Sequence, residues 1–352
     1  MPPAFVVRFR PNGPWRLGTD TGARGVVDFV CHSDTLFSAV TGAMARLGAL
    51  EEWLEATARH PRSAAVRLSS CFPYLEDVHF VAPPRTLWPP PPSARIRWQG
   101  ARFVPLALVA DLLTDKPPRE QEWLLDGPSE CLIPAGLRSA APGPFRPGLR
   151  SHAAVDRLSG NTEVHRTACL EFAEGAGLWA VAAFADEAAW ARWSEPLRAA
   201  LRLLADSGIG GERSLGWGRS ATPEFIDGEL PGLLMAVPEA PTASANGGPA
   251  EAAYWLLSLF VPAADDSIDW QRGSYSLVTR GGRVESAAGW GQPKKLLRMV
   301  SEGSVLYAGA RLRGTAPDVA PDGFPHPVFR SGLALAIAIH RAPAAERVTG
   351  AA

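Results

Sequence analysis

The chain contains 352 residues, of which 46% are hydrophobic and 20% are charged, and its formal net charge is −1. This length and hydrophobic content are typical of a globular protein that folds around two cores. The near-zero charge excludes a protein that binds polyanions with its whole surface, although such an average can conceal a local basic groove.

The sequence favours a location in the cytoplasm. Its N-terminal apolar segment contains Arg8 and Arg10 and lacks a signal-peptide core, and no apolar stretch reaches about 18 residues. The four cysteines are isolated, without a CxxC pair or a histidine cluster at the usual zinc spacing. We therefore expect reduced, buried thiols and neither a metal site nor a cofactor.

The first predicted elements are a strand and a helix. Residues 4–10 alternate well enough for an opening strand, which the turn residues 11–14 end. A helix is predicted after His32, with Ser33 as its cap, Asp34 in its first turn and apolar residues on one face.

The middle of the chain is predicted to be less regular. Strand-like pieces occur at residues 65–68 and 95–104. Residues 111–149 are rich in proline, glycine and acids, which indicates an insertion or a long loop. Beyond them, residues 168–172 and 178–184 are expected to pair as two strands of a hairpin.

A second helix is predicted by apolar residues at spacings of three and four between Trp190 and Leu204. Ser194 is expected to cap its main part, with Pro196 in the first turn. A glycine-rich segment follows at residues 208–219, and residues 220–226 can return as a strand. The order of strand, helix, strands, helix and strand is that of a ferredoxin-like domain with large insertions.

The chain is predicted to divide into two domains. The N-terminal domain would comprise residues 1–237, and residues 238–250, which lack large apolar side chains, would form a linker. A C-terminal domain at residues 251–342 is expected to be mostly β, with a flexible tail at 343–352. The predicted fold class is therefore α+β.

The glycine-rich segment at residues 208–219 carries most of the functional information. Its glycines allow the backbone to expose N–H groups and to approach a phosphate closely, and arginines and a serine lie between them. A helix C-cap followed by a turn explains Gly208 but neither Gly216 nor Gly218. The spacing fits neither a dinucleotide-binding motif nor a P-loop, so an extended polyanion is the expected ligand.

Two other segments are locally basic. Residues 138–166 contain five arginines against two acids, and residues 272–298 contain six basic residues against one acid. Such runs are often only solvated faces, and a compositional bias could favour arginine without a functional reason. Arginine's planar fork nevertheless suits phosphates and bases.

Several separated segments closely resemble one family. It comprises the subunits that cap the crRNA 5′ end in type III-A CRISPR (Csm) effector complexes, within the RAMP superfamily. The resemblance covers almost the whole chain in order. It lies in the opening strand and in residues 32–39 (HSDTLFSA), 208–219 (GIGGERSLGWGR), 275–282 (YSLVTRGG), 302–305 (EGSV) and 326–329 (HPVF).

The resemblance implies two ferredoxin-like (RRM-like) RAMP domains, the second more divergent. It also implies that the protein holds the repeat-derived 5′ handle of the crRNA. Its expected partners are the large polymerase-domain subunit and the first backbone RAMP subunit, with target RNA involved only indirectly. Family members of this kind act as scaffolds, so we expect no catalytic residue. The Pro-rich insertions between residues 85 and 147 match poorly and contribute no functional residue.

The expected RNA-binding residues fall into four groups. Those of the glycine-rich segment are Gly208, Gly210, Gly211, Arg213, Ser214, Gly216, Trp217 and Arg219. A thumb-like hairpin would contribute Arg150, Arg157 and Arg166. The second domain would contribute Arg280, Arg283, Lys294 and Lys295, and the first helix would contribute His32 and Ser33.

Structural explanations compete with each of these assignments. Trp217 could stack on a handle base or could belong to a core. The hairpin arginines could be ordinary surface charge, and the glycines at residues 281–282 could form a simple β-turn.

His32 needs separate treatment, because some RAMP relatives use a histidine as general base when they cut RNA. Adjacent His32, Ser33 and Asp34 cannot form a nucleophile triad, since successive residues at a helix start point in different directions. We therefore expect helix entry or RNA contact for His32. A metal-independent endoribonuclease that processes repeat RNA is the main alternative function, and a free-standing RNA regulator is a third.

Overall fold

The computed structural model describes residues 1–18, 23–89, 98–116, 118–139, 143–155, 160–237, 252–286 and 288–339. The helices are α1 (Ser33–Arg46), α2 (Leu50–Leu54), α3 (Leu106–Leu113) and α4 (Glu187–Ser207). Up to residue 237 the strands are β1 (Pro3–Phe9), β2 (Val66–Leu68), β3 (Phe72–Leu75), β4 (Val78–Val81), β5 (Val104–Pro105), β6 (Trp123–Asp126), β7 (Cys131–Pro134), β8 (Phe145–Val155), β9 (Thr162–Phe172), β10 (Ala176–Phe184) and β11 (Glu224–Glu229). The predicted mixture of helices and sheets is confirmed.

The remaining strands follow residue 252. They are β12 (Ala252–Leu256), β13 (Ile268–Ser274), β14 (Leu277–Arg280), β15 (Arg283–Ser286), β16 (Gly289–Pro293), β17 (Leu297–Val300), β18 (Val305–Ala308), β19 (Gly314–Thr315), β20 (Gly332–Leu333) and β21 (Ala336–Ile339). Between residues 252 and 339, the described part of the chain contains strands and no helix.

The first sheet has the spatial order β11, β1, β10, β3, β4 and β5, and β2 also pairs with β10. Strand β1 is antiparallel to both β10 and β11, with Val6 opposite Val181 and Ile226. Helices α1 and α4 cover one face, where the ring of Phe5 lies 6.4 Å from that of Trp190 on α4. This face forms the main hydrophobic core.

The second sheet has the order β13, β18, β12 and β21. Its side chains Trp255, Leu257 and Ile337 belong to the same buried cluster as the core of the first sheet. The indole N–H of Trp255 donates a hydrogen bond of 3.0 Å to the carbonyl of Ala82. The larger core therefore continues from one sheet into the other.

The predicted pairing of residues 168–172 with 178–184 is wrong. Strand β9 pairs instead with β8 along eleven residues, so that these two strands form one long hairpin. Every residue of β10 is buried, as a strand in the middle of a covered sheet requires, and β10 lies between β1 and β3.

Other local predictions also need correction. Residues 111–149 contain the end of α3, the hairpin of β6 and β7 and the start of β8, rather than a long loop, because apolar residues there are buried. Of residues 95–104, those described from 98 to 103 are not in a strand. The predicted linker and the whole of the predicted tail lie outside the described residues.

The helix caps also differ from the prediction. Asp186 caps α4 by accepting a hydrogen bond of 2.8 Å from the backbone N–H of Ala189, so that Ser194 and Pro196 lie inside the helix. Ser33 is the first residue of α1, and its hydroxyl accepts a hydrogen bond of 3.0 Å from the backbone N–H of Leu259. The cap of α4 therefore lies eight residues earlier than predicted and is local, whereas the hydroxyl of Ser33 has a partner far along the chain.

None of the helices in the described part of the chain is long and apolar enough to span a membrane.

Candidate nucleic-acid interface

The glycines of the segment at residues 208–219, here called the glycine loop, adopt backbone conformations that favour glycine. Gly208, Gly210, Gly216 and Gly218 have φ between 77° and 93°. A Cβ atom at Gly208, Gly210 or Gly218 would lie within 2.5 Å of a backbone oxygen, whereas one at Gly216 would meet no atom within 4 Å. Three of these glycines are therefore required by close packing of the loop, and Gly216 faces open space.

The amides of the glycine loop have partners inside the fold. The N–H of Gly211 donates to the carbonyl of Arg16 at 2.9 Å, and the N–H of Gly216 donates to that of Arg213 at 2.9 Å. The N–H of Gly208 donates to Leu204 at 2.8 Å, as in an ordinary helix end. These three amides are therefore engaged inside the fold, which does not support the predicted amide cradle at Gly211 and Gly216.

Trp217 connects the glycine loop to the hairpin of β8 and β9. Its side chain is buried, and its ring lies 5.7 Å from that of His152 on β8. Burial removes the ring from a base that could stack on it, which favours the core alternative for Trp217. Arg16 strengthens the same junction, because its guanidinium donates to the carbonyl of Ala168 on β9 at 3.0 Å.

The hairpin of β8 and β9 carries the predicted thumb-like arginines. Arg150 forms an ion pair of 2.6 Å with Glu171. Arg166 lies opposite Ser151, is exposed, and has no ion pair among the described residues. Arg157 lies outside the described residues.

The second part of the chain meets the glycine loop at Arg213. Its guanidinium lies 2.6 Å from both carboxylate oxygens of Glu285 on β15. On the same hairpin, Arg283 donates a hydrogen bond of 2.5 Å to the carbonyl of Gly291. Segments that are far apart in the sequence therefore meet on one surface.

Two lysines follow that hairpin in the sequence. Lys295 is exposed and pairs with Asp322 at 2.8 Å. Burial lowers the pKa of Lys294, and the charge of Arg330 acts in the same direction. Lys295 is therefore the more accessible of the two cations.

Arg219 and Ser214 are exposed at the surface of the glycine loop. The carbonyl of Arg219 accepts a hydrogen bond of 3.2 Å from the indole of Trp15, which holds the backbone in place. No ion pair neutralises the side chain of Arg219 among the described residues. Arg219 and Arg166 are therefore the predicted arginines best able to contact a polyanion.

His32 occupies a buried site between two carboxylates. Its Nδ1 lies 2.8 Å from Glu302 Oε1, and its Nε2 lies 3.1 Å from Asp28 Oδ2. Burial alone would lower the pKa of His32, but the two carboxylates outweigh it and raise the pKa to about 10. A general base needs a neutral nitrogen that can reach its substrate, and this arrangement does not supply one.

Arg280 and Asp34 form a second buried network. Two guanidinium nitrogens of Arg280 lie 3.1 Å from the carboxylate oxygens of Asp34, and Arg330 also bonds that carboxylate. Burial would raise the pKa of Asp34, but the arginines lower it to about 2. The position of Arg280 therefore does not support a contact with RNA, and the hydroxyl of Ser33 is likewise occupied, by Leu259.

Sequence reasoning missed the acids that hold these networks, namely Asp28, Glu285 and Glu302. Glu302 belongs to the segment at residues 302–305 and follows a buried apolar pair at residues 299–300, so an acid next to core residues was the available signal. The described residues contain no cluster of side chains suited to a metal ion.

Comparison by sequence identifies a family for the second part of the chain. Residues 250–339 match the family model described as the CRISPR Csm4 C-terminal domain. No curated protein matches the chain.

The fold is similar to that of chains in two solved structures. One is a Csm3–Csm4 subcomplex of the type III-A CRISPR-Cas interference complex, with a TM-score of 0.61, 16% identity, and coverage of 94% of this chain and 98% of that chain. The other is a Csm1–Csm4 cassette in complex with cA4, with a TM-score of 0.53, 17% identity, and coverage of 97% of this chain and 100% of that chain. The predicted resemblance is thereby confirmed: residues 250–339 match the model of the Csm4 C-terminal domain, and the chain as a whole has a fold similar to that of chains in these Csm4-containing structures.

Proposed function

We propose that this chain is a noncatalytic RNA-binding subunit of a type III-A CRISPR effector complex. It would hold the 5′ handle of the crRNA and dock the large polymerase-domain subunit and a backbone subunit, and it would act in the cytoplasm. The two solved structures with a similar fold support this proposal, because their descriptions name a Csm3–Csm4 subcomplex and a Csm1–Csm4 cassette.

The sheet order supports the ferredoxin-like part of this proposal. Strands β1, β3, β10 and β11, with helix α1 after β1 and helix α4 after β10, follow the βαββαβ order. Their spatial order is β11, β1, β10 and β3, and neighbouring strands are antiparallel. Numbered along the chain, this is the order 4-1-3-2. The second domain would be a divergent copy, represented by the antiparallel sheet of β12, β13, β18 and β21.

The observation that carries the proposed RNA site is the junction at the glycine loop. Trp217 of the loop contacts His152 on the hairpin of β8 and β9. Arg213 of the loop contacts Glu285 on β15. Three basic segments predicted separately from the sequence therefore lie side by side, as a groove that follows a single RNA strand requires. The junction presents Ser214 and Arg219 to solvent, and Arg166 is exposed on the adjoining hairpin of β8 and β9.

The carboxylates around His32 support a noncatalytic subunit. An imidazolium that donates both N–H groups to Glu302 and Asp28 cannot accept the proton of a 2′-hydroxyl. No observation in the described residues favours the endoribonuclease over the scaffold.

Substitution of the exposed arginines tests the site. Arg219→Ala and Arg166→Ala should each weaken binding of the full-length chain to a single-stranded RNA carrying the 5′ handle by about fivefold at low salt. Each should also reduce the slope of log affinity against log salt by about 0.7, the value for one lost phosphate contact in a single strand. Fluorescence anisotropy over a salt series measures both quantities.

Arg192→Ala is the matched control. Arg192 is exposed on α4 and pairs with Glu52, about 24 Å along the helix from the glycine loop at 1.5 Å per residue. The Arg192→Ala substitution removes one positive charge, as the two test variants do, and should leave the RNA affinity and its salt dependence unchanged. If Arg219→Ala and Arg166→Ala behave like this control, the proposed RNA site is wrong.

A further inference from the structure

A second group of arginines lies at the seam between the two sheets. Arg62 and Arg67 come from the segment between α2 and β3, and Arg311 and Arg313 come from the segment between β18 and β19. The short 3-10 turn at Pro61–Ser63 packs against β19, which brings the two segments together. We call these four residues the seam arginines.

The acids near the seam arginines do not balance them. Asp265 lies between Arg62 at 3.4 Å and Arg313 at 3.8 Å. The carboxylate of Asp266 accepts hydrogen bonds of 2.9 Å from the backbone N–H groups of Ala263, Arg313 and Gly314, which engages it in fixing the chain. Arg62 and Arg313 therefore share the carboxylate of Asp265, and the carboxylate of Asp266 is already occupied by the backbone.

Arg67 is the least satisfied member of the group. Its Nε atom is buried and has no hydrogen-bond partner among the described residues, and one of its terminal nitrogens donates to the carbonyl of Ala64. Burial and the neighbouring charges of Arg311 and Arg313 lower the pKa of Arg67 to about 10, although the nearby charge of Asp266 acts in the opposite direction. Burial and neighbouring like charges both disfavour the charged form of an arginine, so an anion bound among these groups would stabilise them.

The seam arginines are distant from the glycine loop. Arg67 pairs with Ala183 of β10, which in turn pairs with Ala4 at the start of β1. The glycine loop instead contacts the residues that follow Phe9, at the other end of β1. Five residues of strand separate Ala4 from Phe9, or about 17 Å at 3.3 Å per residue. A ligand at the seam would therefore occupy a separate site.

We propose that Arg62, Arg67, Arg311 and Arg313 form a phosphate-binding site between the two sheets. A phosphate presents several oxygens to guanidinium forks at once, whereas a carboxylate presents only two, so a phosphate suits this converging group better. The phosphate can belong to an RNA strand or to a free phosphate compound. This inference does not depend on the proposed function at the glycine loop.

The test measures the midpoint of thermal unfolding of the full-length chain against the concentration of inorganic phosphate, at constant ionic strength. Binding to the folded state alone raises this midpoint. The Arg311→Ala/Arg313→Ala double variant removes two exposed side chains and should weaken phosphate binding by about a hundredfold, tenfold for each charged contact. Arg192→Ala should bind phosphate as the unaltered chain does.

The Arg219→Ala variant separates this site from the glycine loop, because it should retain the whole phosphate effect. Competition by a single-stranded RNA in the Arg219→Ala background would identify an RNA phosphate as the ligand, and no competition would identify a free phosphate compound. The proposal is overturned if phosphate does not raise the midpoint of the unaltered chain, or if it does so equally in the double variant.

Discussion

At the start of α1, three consecutive side chains each contact a different group beyond residue 250. His32 bonds Glu302, Ser33 accepts the N–H of Leu259, and Asp34 bonds the guanidinium groups of two arginines. Successive helix residues point in different directions, which prevents them from acting on one substrate atom but allows them to hold three separate partners. At the scale of the residue, the motif is therefore an attachment point.

The charge of His32 should make the free energy of unfolding depend on pH between about 6.5 and about 10. Its pKa is raised in the folded state, so its stabilising effect is complete below the unfolded value of about 6.5 and disappears as pH rises towards about 10. At pH 6, His32→Gln should lower the free energy of unfolding by about 3–5 kcal/mol, because it leaves the buried carboxylate of Glu302 without its cation. Urea unfolding of both proteins from pH 6 to pH 10 measures the difference.

That difference should shrink steadily above pH 6.5. His60→Gln is the control, since His60 pairs with Glu55 at an exposed site and should contribute little. A difference between His32→Gln and the unaltered chain that stays constant up to pH 10 would contradict a charged His32.

At the scale of the element, the glycine loop contains two glycines, Gly216 and Gly218, that share a backbone conformation but differ in how closely they are packed. Gly216 and Gly218 have nearly the same φ, 82° and 77°. A Cβ at Gly218 would lie 2.1 Å from the carbonyl oxygen of Ile209, whereas a Cβ at Gly216 would meet no atom within 4 Å. The loop therefore has space for a side chain at Gly216 and none at Gly218, although φ is unfavourable for one at both positions.

This pair of glycines gives a matched test. Gly216→Ala should cost about 1 kcal/mol, the strain of a left-handed conformation for alanine. Gly218→Ala should cost about 3 kcal/mol or more, because the same strain is joined by a clash with the backbone. Chemical denaturation of the two variants compares them directly, and equal losses would show that the loop does not have this packing.

At the scale of the whole molecule, the two sheets share one core and two buried ionic networks. Trp255 and Ile337 of the second sheet pack in the core of the first. The networks around His32 and Asp34 connect α1 to residues 280, 302 and 330. Both kinds of contact should make the two sheets unfold together.

Asp34→Ala tests this coupling. It leaves Arg280 and Arg330 buried without their carboxylate, which should cost about 3–5 kcal/mol and should separate a single calorimetric transition into two. Glu52→Ala, which removes only an exposed pair with Arg192, should change little. A single transition with unchanged stability in Asp34→Ala would show that this network does not couple the sheets.

The amino-acid sequence by itself determined the features that depend on near neighbours. The periodicity of apolar residues located β1, α1 and α4, because a helix or strand with one buried face repeats within a few residues. The family resemblance also followed from short segments of sequence, and the comparisons confirm it.

Only the tertiary structure decided the features that depend on distant residues. The partner of β9 is β8 rather than β10, Trp217 is buried against His152, and Arg280 faces Asp34 in the interior. Local sequence shows that a strand, an aromatic ring or a charge is present, but its burial and its partner depend on residues far along the chain. Arg219 of the glycine loop, Arg166 of β9 and the seam arginines were distinguished from the other arginines only by the folded structure.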